Sequence, residues 1–553
     1  MSSKPLQTNE FTKEFLEAAA CLRRYPHLER SEQWLARICL NLREYEDLYQ
    51  CAVADDPPIL TPATVEGRQR QGTAGSRQDS AWELPEALEP SWSRPSLGGL
   101  HDLSAVELAH RIRSAEVSPV DVVENFLRRS RENRHLNAYV TLLEEQARQD
   151  AQQIAQRLSR GEAVGPLAGV PVAVKDLMNI RGCPLTCGSQ AFESVIPDRD
   201  AEVVARLRQA GAVVIGATNL HEFAYGITSQ NPHFGHVKNP VHEAFLPGGS
   251  SGGSAVAVAF GLAAAALGTD TGGSVRIPAA CTGIVGLKPT YGRVSLAGVF
   301  PLSWSLDHVG PMTRSVSDAA LLLEILGGPL NPDGKLCADH LLRGLNGDLK
   351  GLRIATVREY FGSPVNPQVS AALAGALSRL QAAGASVEEV SIPSLVYAPA
   401  AQFFTLTSEA TNVHWDRLKR RGEFYGDDVR VRLEIGQFIF GTDYIQAQRL
   451  RRRITREFRN IFRAVDALVT PTLPCTVPRT DESEVSIGHE KWPAQAAMTR
   501  FTLPFNMTGL PAVSLPWGRD ERGLPIGLQL AGRPWDEWTI LRAARALELS
   551  APA

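Results

Sequence analysis

Apolar and polar positions alternate along most of this chain with the periods of buried strands and of helices. Continuous apolar runs at residues 169–174 and 213–215 predict buried strands. Residues 200–210, between those runs, have helical spacing and end at a glycine. The same order of strand, helix and strand returns over residues 352–390. This alternation predicts an α/β sheet with helices on both faces.

The chain divides into three parts by the character of its sequence. Residues 1–52 contain two segments with apolar positions at helical intervals and predict a small helical extension. Residues 53–99 are rich in Pro, Ser, Gly and Gln and predict an extended linker. Residues 100–553 open with a capping box at Ser104 and Glu107 and predict one large α/β domain.

Composition and charge exclude several classes of protein. The 553 residues are 44% apolar and 21% charged, with a net charge of −3, so no global field favours nucleic acid or an anionic membrane. The longest run of low polarity, residues 255–268, is too short to span a bilayer. The first residues lack an export signal. We therefore expect a cytoplasmic protein that binds neither nucleic acid nor membrane. One local cluster of charge, residues 449–453, predicts the solvated face of a helix.

The loop at residues 247–254 has four glycines and three serines in eight residues, which excludes the interior of a helix or strand. Three interpretations stay open from the residues alone. A phosphate-binding loop would need a Lys-Ser/Thr ending that is missing here. A nucleophile elbow would place the nucleophile at Ser250, between Gly248 and Gly252, and would need a histidine as its base. The third interpretation joins this loop to a second one downstream.

The second loop, residues 268–276, has the residue types of a serine-hydrolase site. Successive amides of Thr271, Gly272, Gly273 and Ser274 can point at one spot and form an anion-binding nest. A serine hydroxyl at the end of such a nest predicts an oxyanion hole beside a nucleophile, Ser274.

A serine nucleophile needs a base, and two kinds of residue compete for that role. Isolated histidines such as His221 and His308 lie in the same stretch, but their spacing does not identify a triad. Lys175 follows an apolar strand directly, so that burial is expected to lower its pKa and leave it able to accept a proton. Alternatively, Lys175 is a structural ion-pair partner of Asp176.

Three segments together resemble the amidase-signature family. They are GVPVAVKD at 169–176, PGGSSGGS at 247–254 and GTDTGGSVRIP at 268–278, in the order and at the spacing typical of that family. The likeness extends from about residue 100 to the end of the chain. It implies the family's fold, a large central mixed β-sheet with helices on both faces, and leaves residues 1–95 outside the family's core.

The resemblance implies a Ser–Ser–Lys triad that hydrolyses an amide or ureide C–N bond. Ser274 is the expected nucleophile, Ser250 a bridging serine after a cis peptide bond, and Lys175 the base. The implied oxyanion hole is formed by the backbone amides of residues 271–274. Asp270 and Arg276 are expected to support the loop. No metal and no organic cofactor is expected, and the expected partner is a small-molecule substrate.

Several alternatives remain open within and beyond this family. One is the glutamine-hydrolysing component of an amidotransferase, although the acidic residue expected for glutamine falls at Gly441, with Asp443 two residues away. Residues 221–235 are similar to hydrolases of carboxylated biuret and related ureides. The chain could also be a non-catalytic interaction subunit. The N-terminal helices resemble the small helical protein that partners some of these amidases, and they predict a packing element or a homodimer contact.

Overall fold

The computed structural model describes residues 31–40, 44, 47, 48, 99–328, 345–362 and 364–550. Strands β1 to β13 are Tyr139–Leu142, Pro171–Lys175, Val213–Thr218, Ala265–Thr269, Val285–Lys288, Val309–Thr313, Arg353–Val357, Ser386–Val390, Ala467–Pro471, Glu484–Ile487, Glu490–Pro493, Ala512–Arg519 and Pro525–Gly532. Helices α1 to α15 are Ser31–Leu40, Ala105–Arg113, Pro119–Glu132, Glu144–Ser159, Glu202–Gln209, Gly252–Ala259, Arg276–Thr282, Val316–Gly327, Pro367–Ala382, Ala398–Arg421, Asp427–Ile435, Gly441–Ala464, Ala494–Arg500, Leu503–Met507 and Glu537–Leu549.

Eleven strands form one mixed sheet in the order β1-β3-β2-β4-β6-β5-β12-β13-β9-β7-β8. Strand β2 pairs in parallel with β3 and with β4, whereas β4 pairs antiparallel with β6. Every residue of β2, β3 and β4 is buried, which requires cover on both faces of the sheet. The predicted α/β fold with a large central mixed sheet is therefore confirmed.

Local sequence signals account for the starts of several helices. The side chain of Ser104 accepts a hydrogen bond from the Glu107 amide, and Glu107 accepts one from the Ser104 amide, so the predicted capping box opens α2. Ser118 caps α3, with Pro119 in the first turn. The short helix expected after the second glycine-serine loop is α7. These helices pack beside the strands that carry the two loops.

The N-terminal extension packs on the α/β domain through one described helix. Trp34 and Ile38 of α1 are buried, and the Trp34 Nε1 donates a hydrogen bond of 2.6 Å to the Glu434 carboxylate on α11. The Trp34 ring lies 5.4 Å from the ring of Phe438. The first expected helix of the extension and almost all of the expected linker lie outside the described residues.

The expected solvated face over residues 449–453 is wrong at one position. Arg451 is buried, and its guanidinium donates to the carbonyl of Met507 and, at 2.8 Å, to the carbonyl of Ser305. Burial lowers the pKa of Arg451 to about 10. The cause of the error is that α12 packs along α10 and turns this side chain inward. Among the helices of the described part of the chain, none combines the length and apolar character needed to cross a bilayer.

Candidate functional site

Two neighbouring parallel strands place the first parts of the site. Lys175 is the last residue of β2, and Thr269 is the last residue of β4. Since the carboxyl ends of parallel strands meet at one edge of a sheet, these side chains come together. Ser250 and Ser251 immediately precede α6, whose first residue is Gly252. The first glycine-serine loop therefore ends at the same edge.

Lys175 is fully buried and lies among hydroxyl groups. Its Nζ is 2.7 Å from Ser250 Oγ, 2.9 Å from Ser251 Oγ and 2.8 Å from Thr269 Oγ1. Burial lowers the pKa of Lys175 well below its ordinary value, and the charges of Asp270 and Asp307 only partly oppose that shift. The amine is therefore uncharged at neutral pH.

The alternative ion pair between Lys175 and Asp176 does not form. The Asp176 carboxylate accepts hydrogen bonds from the backbone amide and the hydroxyl of Thr186. Burial raises the pKa of Asp176 to about 7. The ion pairs of the described residues include none that joins Asp176 to Lys175.

Asp270 and Arg276 hold the second loop in shape. The Asp270 carboxylate accepts hydrogen bonds from the amides of Gly273 at 2.8 Å and Val275 at 3.1 Å. It also forms an ion pair of 3.0 Å with the guanidinium of Arg276, and both side chains are fully buried. Burial alone would raise the pKa of Asp270, but the charge and hydrogen bonds of Arg276 outweigh it and lower that pKa.

The expected oxyanion hole needs one correction. The amide of Gly273 points at the Asp270 carboxylate and is therefore not available to a substrate. Within the described part of the chain, the amides of Thr271, Gly272 and Ser274 donate to no protein acceptor. These three amides are free to bind a ligand oxygen.

The two glycine-serine loops contact each other directly. The Ser251 amide donates a hydrogen bond of 3.2 Å to the carbonyl of Ser274. The peptide bond between Gly249 and Ser250 is cis. In the described residues, no hydrogen bond joins the Ser250 and Ser274 hydroxyls. Hydrogen bonds between catalytic groups are often long without substrate, so this spacing is compatible with a relay.

Histidines contact the loops without reaching either serine hydroxyl. The His221 amide donates to the carbonyl of Ser250 at 3.1 Å, while its ring bonds to Thr228 and Asp428. The His308 ring bonds to the Lys288 amine and to backbone carbonyls. Of the described histidines, none has a ring nitrogen hydrogen-bonded to Ser250 or Ser274. This geometry gives no support to the histidine-triad alternative.

Three residues of the site were missed by the sequence reasoning. Ser251 and Thr269 bind the lysine amine, and Gln402 on α10 donates to the carbonyl of Thr271 at 3.1 Å. The position of Ser251 next to Ser250 was the one available signal. Gln402 is 128 residues from Ser274 in the sequence, and only the fold brings α10 to the loop.

Comparison with known proteins identifies the family. The family model described as Amidase matches residues 121–541. The first component, GatA, of the glutamyl-tRNA(Gln) amidotransferase of Geobacter metallireducens is 38% identical over 478 residues, which cover 81% of this chain and 97% of that protein. The chain therefore belongs to the amidase family and is an enzyme that hydrolyses amide C–N bonds.

Solved structures give the same assignment. An amidase crystal structure matches with a TM-score of 0.76 and 37% identity, covering 81% of this chain and 100% of that one. A second structure, described through a vestigial protein complex that reveals the origins of an s-triazine catabolic enzyme, matches with a TM-score of 0.77 and 36% identity. It covers 82% of this chain and 99% of that one.

Proposed function

We propose that this enzyme cleaves a small amide or ureide through an acyl intermediate on Ser274, with Ser250 as the proton relay and Lys175 as the base. The observation that carries the proposal is the buried Lys175 amine, 2.7 Å from Ser250 Oγ. The loop of Ser274 lies directly above, joined to the amide of Ser251.

The hydrogen bonds around Lys175 favour an amine that accepts a proton from Ser250. The Ser251 hydroxyl donates to the carbonyl of Thr269 at 3.2 Å, so its oxygen is left to accept from Lys175. Thr269 Oγ1 accepts a second N–H of the amine. A neutral amine has two N–H groups and one lone pair. The lone pair therefore faces the third neighbour, the hydroxyl of Ser250.

The reaction follows from this arrangement. Lys175 takes the proton of the Ser250 hydroxyl as Ser250 takes the proton of Ser274, whose oxygen attacks the carbonyl carbon. The negative charge on the carbonyl oxygen is stabilised by the amides of Thr271, Gly272 and Ser274. The proton returns through Ser250 to the leaving nitrogen as the C–N bond breaks. Water then hydrolyses the ester on Ser274.

The substrate class is argued from the relatives and from one acidic residue. Structural neighbours include the protein linked to s-triazine catabolism and a hydrolase of 6-aminohexanoate cyclic dimer. Asp443, the residue nearest to the position expected for an acid that holds glutamine, is buried and accepts a hydrogen bond of 2.9 Å from the amide of Phe440. This use of Asp443 in capping α12 supports a small amide or ureide over glutamine.

Glutamine hydrolysis within an amidotransferase is the second candidate, because curated relatives at 38% identity are GatA components of such enzymes. A glutaminase assay separates the two functions, since ammonia release from glutamine at a rate matching the best amide would favour the second.

We propose the domain organisation as 1–52 helical extension, 53–99 linker and 100–553 catalytic domain. Trp34 and Ile38 of the extension are buried against the same chain. A homodimer through the N-terminal helices would therefore have to use another surface of the extension. Mass determination in solution tests that prediction, and a monomer would contradict it.

The catalytic proposal is tested by incubating wild type, Ser274→Ala, Ser250→Ala and Lys175→Met with amides, anilides and ureides and recording intact-protein mass. Wild type should gain the mass of the acyl group on Ser274, Ser274→Ala should gain none, and the other two variants should acylate far more slowly.

Lys288→Met is the matched control for Lys175→Met. Lys288 is also fully buried, and burial lowers its pKa, but its amine contacts the carbonyl of Pro289 and the ring of His308. The control should still acylate Ser274. Equal loss in both lysine variants, or acylation of Ser274→Ala, would contradict the assigned roles.

A further inference from the structure

Gln402 is a buried amide side chain with one satisfied end and one unsatisfied end. It lies in the first turns of α10, 6% exposed, and its Nε2 donates to the carbonyl of Thr271 at 3.1 Å. Its Oε1 is buried and has no hydrogen-bond partner in the described structure. Since a buried acceptor without a partner lowers stability, packing alone would favour an apolar side chain here. The glutamine therefore calls for a role beyond packing.

The planarity of the peptide bond transmits the contact of Gln402 to the next residue. The Thr271 carbonyl and the Gly272 N–H belong to one trans peptide unit, so they point in opposite directions. Gln402 fixes the direction of the carbonyl and thereby the direction of the N–H. That N–H donates to no protein acceptor among the described residues, and it is one of the three amides available for an oxyanion.

The neighbouring peptide unit provides an internal comparison. The Thr502 hydroxyl donates to the carbonyl of Gly272 at 2.6 Å and thereby orients the N–H of Gly273. That N–H is already held by the Asp270 carboxylate at 2.8 Å. Each of the two carbonyls has its own side-chain donor, but only the donor Gln402 controls an N–H that is free for a substrate.

We propose that Gln402 is a positioning residue that sets the Gly272 N–H of the oxyanion hole. The inference rests on the proposed function and extends it to a residue outside the glycine-serine loops. Gln402 acts through the Thr271–Gly272 peptide unit, and its contribution is realised as charge develops on the carbonyl oxygen. Its loss should therefore slow acylation more than it weakens substrate binding.

The first test compares Gln402→Leu with Thr502→Val by single-turnover acylation and thermal unfolding. Gln402→Leu should lower the acylation rate constant about 10- to 100-fold, part of the effect of removing a whole oxyanion donor. Its KM and Tm should stay near the wild-type values, because the leucine also removes the unpaired Oε1. Thr502→Val should lose less activity, because Asp270 still holds the Gly273 amide. An equal loss in both variants, or a fall in Tm that matches the loss of rate, would overturn the proposal.

The second test uses Gln402→Glu and the pH dependence of its rate relative to wild type. A protonated carboxyl group can donate to the Thr271 carbonyl in place of the amide, whereas an ionised one cannot. Burial raises the pKa of a glutamate at this position, so the ratio of variant to wild-type rates should rise as the pH falls. Lys175, Asp270 and Asp307 titrate in both enzymes, and their effects largely cancel in the ratio. A ratio that does not change with pH would overturn the proposal.

The two proposals fail in different ways. If wild type forms no acyl-enzyme, the proposed function fails. If wild type acylates Ser274 and Gln402→Leu acylates it equally fast, only the role of Gln402 fails.

Discussion

Replacement of Ser251 by alanine tests how the lysine amine is oriented. The Ser251 hydroxyl accepts an N–H of Lys175 at 2.9 Å, and Thr269 Oγ1 accepts another at 2.8 Å. Without Ser251, one N–H of the buried amine has no acceptor, which costs about 1–3 kcal/mol. The amine regains a partner by turning that N–H toward Ser250, and its lone pair then no longer faces the hydroxyl it must deprotonate.

This free energy sets the expected loss of rate. At about 1.4 kcal/mol for each factor of ten, acylation of Ser274 should slow by about 5- to 150-fold. The assay is stopped-flow acylation with a chromogenic anilide that wild type accepts, at a pH where wild-type acylation no longer changes.

Ser254→Ala is the matched control for Ser251→Ala. Ser254 is also fully buried, and its hydroxyl bonds to Thr218 Oγ1 at 2.7 Å and to the carbonyl of Leu267 at 2.9 Å, without contact to Lys175. The control should lose stability but keep its acylation rate. Acylation by Ser251→Ala at the wild-type rate, or an equal slowing in Ser254→Ala, would refute the reasoning.

Three further substitutions test the supports of the site. Asp270→Asn should lower the free energy of unfolding by about 3–5 kcal/mol in denaturant titrations, because it leaves Arg276 buried without its ion-pair partner; a loss under about 1 kcal/mol would contradict this. The folded-state pKa of Asp176 is raised to about 7 from 3.8, so wild-type stability should fall as pH rises between those values, and Asp176→Asn should gain stability relative to wild type at about pH 8 compared with about pH 4. No pH-dependent difference would contradict that sign. Trp34→Ala should release α1, since truncating a buried tryptophan costs about 3–5 kcal/mol, and limited proteolysis near residue 34 should speed up; unchanged cleavage would show that Trp34 does not anchor the helix.

The parts of the fold that depend on local pattern were predictable from the sequence. The buried run before Lys175 became β2, and the capping box at Ser104 opened α2, because apolar period and capping chemistry act over a few residues. The burial of Arg451 was not predictable. Whether a helix position faces solvent depends on which neighbour packs against it, and for α12 that neighbour is the distant α10.

The same division applies to the site. Lys175, Ser250 and Ser274 were found because glycine-serine loops and a lysine after an apolar strand are visible as short motifs. The use of the Gly273 amide by Asp270 was missed, since a run of adjacent amides does not reveal which of them turn toward a carboxylate. Gln402 was missed because its contact with the loop exists only after the sheet and α10 have come together.

The account depends on an uncharged Lys175, and the pH dependence of single-turnover acylation measures that state most directly. Burial places the pKa of Lys175 well below 10.5. The acylation rate of Ser274 should therefore rise at low pH, as the amine loses its proton, and should already be constant from neutral pH upward. In Lys175→Met this dependence on pH should disappear along with most of the rate. A wild-type rate that keeps climbing to about pH 10.5, the value for an ordinary exposed lysine, would contradict the account.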